Sequence, residues 1–189
     1  MDFVYKPLPL MLATLALTGC ASFVAPAYSP SYETIDQLKK TNARHMSVST
    51  VQPTDPKARV NNISLRAASL SSASGTFSKY LENALISDLT EMGFYDASSS
   101  TTIAATILKN DIDISGFSTG TGVMEANIKL SKSGNTFFEK SYTATTQFES
   151  SFAGAVAIPK GQSEYPNLVR SLLQKVYSDP AFVEAIKND

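Results

Sequence analysis

Residues 123–130, VMEANIKL, and residues 137–148, FFEKSYTATTQF, joined through Ser133-Gly134-Asn135, decide the fold class. In the first run Met124, Ala126, Ile128 and Leu130 share one face, and Glu125, Asn127 and Lys129 share the other. In the second, Phe138, Tyr142, Ala144 and Phe148 point inward while Glu139, Thr143, Thr145 and Gln147 point outward. Successive side chains of a strand alternate between the faces of a sheet, so this period of two predicts one buried and one wet face. The Ser-Gly-Asn triplet supplies residues suited to a tight hairpin turn.

The segment before this hairpin extends the sheet. Residues 102–115, TIAATILKNDIDIS, read as a strand whose apolar positions are odd at Ile103, Ala105 and Ile107, then even at Ile112 and Ile114. A change of parity within one strand predicts a bulge or turn, here near Lys109 and Asn110. Weaker strand patterns lie at residues 45–51 and 60–67.

Two longer segments carry helical spacing and supply the cover. Over residues 76–92, Phe77, Tyr80, Leu81, Ala84, Leu85, Leu89 and Met92 form one stripe, interrupted only by Asp88. Gly93 suits the stop after that helix. Over residues 165–177 the stripe is Leu168, Val169, Leu172, Leu173 and Val176. Asp179 and Pro180 then read as N-cap and first residue of a short last helix ending near Lys187. The expected architecture is a single α+β domain over residues 45–189: a two-layer sandwich with a mostly antiparallel sheet and two long helices packed on one face.

The N-terminal part follows a different logic. Residues 7–17 are apolar and follow Lys6, as in a secretory signal, and they are too few to span a bilayer. They end in Leu17-Thr18-Gly19-Cys20, and Cys20 is the only cysteine. This resembles the lipobox of bacterial lipoproteins. The resemblance implies a signal peptide over residues 1–19, cleavage between Gly19 and Cys20, and lipidation of Cys20. Two or three acyl chains anchor a protein stably where one does not. Ala21 follows in place of the Asp that often retains such proteins in the inner membrane, which points to the outer membrane. Residues 20–44, rich in Ser, Pro and Ala, are expected to form a flexible tether after the lipidated Cys, within which residues 34–40 could form a short helix. Residues 69–76, SLSSASGT, and 98–102, SSSTT, read as linkers.

Several blocks in order resemble the YajG-type outer-membrane lipoproteins of proteobacteria: LTGC, FSKYLENALISDLTEMGF, TIAATILKNDIDIS, ANIKLSKSGNTFFEKSYTATTQFESSF and EYPNLVRSLLQKVYSDPAFVEAIK. The resemblance runs from about Ile63 to Lys187. It implies an envelope location and no catalytic residues, since that group's biochemical role is unassigned.

The chemical inventory is sparse. His45 is the only histidine, which leaves no His/Cys metal cluster once Cys20 is lipidated. No Ser sits in a G-x-S-x-G elbow. Asp111 and Asp113 share a strand face and read as solvated, and residues 116–122, GFSTGTG, read as a hairpin loop because the Lys of a P-loop is missing. A net charge of -1 gives no basic footprint for nucleic acid. Residues 152–158, FAGAVAI, stay open: they either continue the preceding strand or tuck under a helix, or Phe152, Val156 and Ile158 form an exposed apolar lip for lipid, a partner or a ligand. The expectation is a non-enzymatic, lipid-anchored protein on the periplasmic face of the outer membrane. It needs no cofactor or metal, binds the membrane through its N-terminal acyl chains, and acts on an envelope protein partner. The alternative is a lipid- or glycolipid-handling auxiliary lipoprotein of an envelope transport system, which requires an apolar groove between helices and sheet.

Overall fold

A computed structural model describes residues 22–187; the expected signal peptide, its cleavage site at Gly19 and Cys20 itself lie outside the described residues. The chain folds into an α+β domain, as the alternating and helical patterns require. Three long strands, β5 (Thr101–Asp113), β6 (Thr119–Lys132) and β7 (Asn135–Glu149), pair antiparallel with one another in sequence. The two-residue β2 (Ser47–Val48) joins β5 in parallel, giving the order β2-β5-β6-β7. Ser133 and Gly134, at φ 50° and 85°, close the β6–β7 turn, which requires two residues with positive φ.

The parity change in β5 is a register shift between Ile107 and Lys109. It leaves Leu108 half exposed and brings Asn110 to the buried side, where its amide donates to Val60 O at 2.9 Å and Tyr165 Oη at 3.1 Å. Helix α2 (Phe77–Met92) starts where Thr76 Oγ1 accepts from Lys79 N, and ends at Gly93 with φ 78°. Helix α3 (Gly154–Tyr177) covers β6 and β7, while α2 packs toward β2 and β5. Helix α4 (Pro180–Ile186) is capped by Asp179, whose side chain accepts from Ala181 N.

Three expectations need correction. The tether over residues 20–44 is folded wherever it is described. Strand β1 (Ser22–Ala25) pairs in parallel with β4 (Ala68–Ser72), and α1 (Tyr32–Leu38) buries Ile35 and Leu38. The domain boundary at residue 45 moves accordingly. Residues 69–76 are therefore not a plain linker: β4 lies between β1 and β3 (Ile63–Leu65) in a second, three-stranded sheet. Helix α3 begins eleven residues before Tyr165, absorbing Pro159, so residues 152–158 neither continue β7 nor tuck under a helix: from Gly154 on they are the start of α3 itself.

The helix and sheet layers touch closely. A Cβ on Gly161 of α3 would lie 2.8 Å from Ile114 Cγ2 and 3.2 Å from both Ile112 Cγ2 and Leu65 Cδ2. Two of these neighbours are buried β-branched isoleucines, Ile112 on β5 and Ile114 just after it, with little freedom to retreat. Gly161→Val is expected to destabilise the domain by about 3 kcal/mol through overpacking, with a melting temperature lower by about 10 °C in a calorimetric scan. An unchanged transition would show that α3 can lift from the sheet without cost.

Candidate functional site

Two sites emerge from the packing: an apolar tip at one end of the sheet, and a buried polar clasp on the N-terminal segment.

The tip is built by three loops that one side chain ties together. Arg66 occupies the β3–β4 turn at φ 59°. Its guanidinium donates to Phe152 O at 2.6 Å, Ser151 O at 2.8 Å and Ile114 O at 2.9 Å. Ile114 opens the β5–β6 loop and Phe152 closes the β7–α3 loop, so the fork of five donors suits a bracket between two backbones. Phe117 and Phe152 project from these loops and stack at 5.4 Å with their planes 14° apart. They remain 79% and 73% exposed, and Val156, one turn into α3, is 49% exposed. Ile158 is half-buried against the core. Of the three residues expected at an apolar lip, then, Phe152 and Val156 form an exposed one and Ile158 does not. The sequence pattern does not single out Phe117 or Arg66, because only the fold brings them to residue 152.

The clasp fixes residues that precede β2. Asp88, the acidic interruption in the α2 stripe, is 2% exposed. Tyr28 Oη donates to its two carboxylate oxygens at 3.0 and 2.9 Å. Tyr177 Oη is buried beside the same carboxylate without a well-formed hydrogen bond. Burial pushes the Asp88 carboxyl up to about 6, outweighing the hydrogen bond from Tyr28 and the positive charge of Arg170, both of which pull it down. Further bonds follow the same segment: Tyr80 Oη to Pro26 O at 2.8 Å, Gln162 Nε2 to Val24 O at 2.7 Å and Arg170 Nε to Ser29 O at 3.1 Å.

The other candidates are engaged in ordinary structure. Asp111 lies 3.8 Å from Arg59, and Asp113 accepts from Ser115 N at 2.8 Å, a bond that lowers its pKa. His45 is exposed, and its backbone carbonyl accepts from Ser99 Oγ. Among the described residues no group of three His, Cys, Asp or Glu is placed to hold a metal, and no helix is long and apolar enough to cross a membrane.

A crystal structure of a Xanthomonas campestris protein of the DUF330 family matches with a TM-score of 0.57 over 83% of this chain and 95% of that chain, at 13% identity. The fold is thus shared with a solved structure. At that identity the likeness concerns the fold alone. A Caulobacter crescentus protein named as a "putative lipoprotein" matches at a TM-score of 0.48 and 8% identity, over 82% of this chain and 96% of that chain, too distant for any conclusion. No family model matches the chain, and no curated protein matches it.

The clasp has a pH signature. In the unfolded chain Asp88 protonates near the ordinary carboxyl value of 3.8, and in the folded chain near about 6. Above pH 6 the fold bears a buried charge. As pH falls through 6, the folded state binds a proton that the unfolded state does not, so this group adds stability down to about pH 4. A gap of about two pH units corresponds to at most about 3 kcal/mol. Asp88→Asn is expected to melt higher than the parent at pH 7.5, with the gap closing toward pH 4.5. A gap independent of pH would show that Asp88 is not a buried, titrating group.

Proposed function

We propose that this chain is a lipid-anchored cell-envelope protein that works by contact rather than catalysis. The observation that carries the reading is positional: Cys20 of the Leu17-Thr18-Gly19-Cys20 motif stands two residues before Ser22, the first residue of strand β1. Maturation before Cys20 would remove the apolar leader and leave the whole described domain intact on an acylated residue. The small residues Ala21 and Ser22 after the cysteine, and the resemblance to YajG-type lipoproteins, support the periplasmic face of the outer membrane.

A contact role draws on the architecture. Among the described residues no helix covers the outer face of β5–β7, which presents Glu125, Asn127, Lys129, Thr143 and Thr145. A wet, Thr-rich face on a rigid sheet suits recognition of an envelope protein partner. The lipid-carrying alternative requires an apolar groove between the layers, and the close approach at Gly161 leaves no space there for even a methyl group. A groove of about 730 Å³ lies instead at the hairpin end, where Arg44, Lys132, Asn135 and Glu184 mix with Phe137. That mixed lining, with charged groups beside Phe137 and Ala185, suits an acyl chain poorly.

Fractionation of cells expressing the parent and Cys20→Ser tests the anchor. The parent is expected to sediment with membranes and to incorporate labelled palmitate, whereas the variant neither incorporates label nor reaches its mature size. Equal labelling of both would overturn the reading. A photo-crosslinker placed at Thr145 is expected to capture one discrete envelope protein.

A further inference from the structure

Resting on that anchored reading, we infer that the Phe117–Phe152–Val156 tip is a membrane-contact site that enters the same bilayer leaflet as the acyl chains of Cys20. The case is geometric. Ser22 pairs with Ser69 at the start of β4, beside the β3–β4 turn whose Arg66 holds the Phe152 loop. The N-terminal segment also runs alongside α3 in the same direction, since Val24 O meets Gln162 and Ser29 O meets Arg170. Followed backward from Gln162, α3 reaches Gly154 after about 12 Å at 1.5 Å per residue. Followed backward from Val24, the segment reaches Ser22, so it and α3 head toward the same end. Two peptide units allow Cys20 no more than about 7 Å from Ser22. The lipidated residue and the aromatic tip therefore belong to one end of the molecule.

The chemistry of the tip fits a bilayer. Two stacked phenyl rings and a valine stand in water with no polar atom of their own, an arrangement that a monomeric soluble surface rarely keeps. The charged side chains nearby are already engaged within the protein. The Arg66 guanidinium is occupied by three carbonyls, and Lys160 lies 3.7 Å from Glu149. Insertion rests on the apolar side chains themselves, and its depth is that of an interfacial side chain, about 5–10 Å. The opposite end differs. Strand β6 has 14 residues and spans about 45 Å, which separates the tip from Phe137 beside the hairpin turn.

The chain contains no tryptophan, so a single introduced one reports alone. Acylated full-length protein carrying Phe152→Trp, and separately Phe137→Trp, would be reconstituted into phosphatidylethanolamine–phosphatidylglycerol vesicles with brominated acyl chains and recovered by flotation. The inference expects a blue-shifted, strongly quenched emission from the Phe152→Trp protein, and water-like, unquenched emission from the Phe137→Trp protein. Phe117→Trp should repeat the result of Phe152→Trp. If the Phe152→Trp protein floats and its indole emits as in water, without quenching, the inference is overturned and the anchor stands. A blue-shifted but unquenched indole in that variant means that a second copy or another protein covers the tip, and also overturns it. Protein that fails to float overturns the anchor and this inference together.

Discussion

The contact between α3 and the sheet governs the rest of the molecule. Gly161 lets the helix backbone settle onto Ile112, Ile114 and Leu65, and Gly122 on β6 opens the matching space beneath Leu168. At that distance the two layers behave as a close-packed solid with no room for a guest. Because α3 is fixed along its length, its first turn holds Val156 at the end of the sheet and its middle offers Gln162 and Arg170 to the N-terminal segment. The exposed tip and the docked segment after Ser22 are both consequences of where this helix lies.

A second layer of order is polar. Arg66 adopts a left-handed backbone conformation that non-glycine residues seldom take, and its three carbonyl bonds offset that strain. Asn110 is turned inward by the β5 bulge and ties the 3₁₀ turn at Arg59–Asn61 to Tyr165. The Tyr28–Asp88 pair does the same for the segment after β1. Each of these groups joins parts of the chain that are at least 48 residues apart, so the polar network records the tertiary fold more than the local structure.

The elements with one buried face are legible in the sequence. The β6–β7 hairpin, the α2 stripe and the bulge in β5 show in the spacing of apolar residues, while Gly93 and Asp179-Pro180 mark helix ends by their capping chemistry. The small sheet is hidden because β4 is Ala-Ser-Leu-Ser-Ser, whose serines mimic a linker while Leu70 alone carries the hydrophobic signal. The start of α3 is hidden by Pro159, a residue that removes a helical donor and normally marks a boundary. Residues 22–38 resemble a tether because their anchoring comes from distant partners, Asp88 and α3, that no local window contains. The same applies to the candidate site. The apolar 152–158 segment can be read from the chain, but Phe117 and Arg66 acquire meaning only once the loops meet.

The docking of β1 changes the mechanics of the proposed anchored form. A free tether of about 25 residues would let the domain wander up to ~80 Å from its lipid and sample every orientation. With the chain ordered from Ser22 onward, that conformational freedom is already lost at folding. The domain then stands as a post of fixed height, its hairpin end about 45 Å from the tip. A partner meeting such a post incurs little further entropy for alignment, and it finds the wet sheet face at one altitude above the bilayer. Selectivity would then depend on the partner's height and tilt as well as on its surface chemistry.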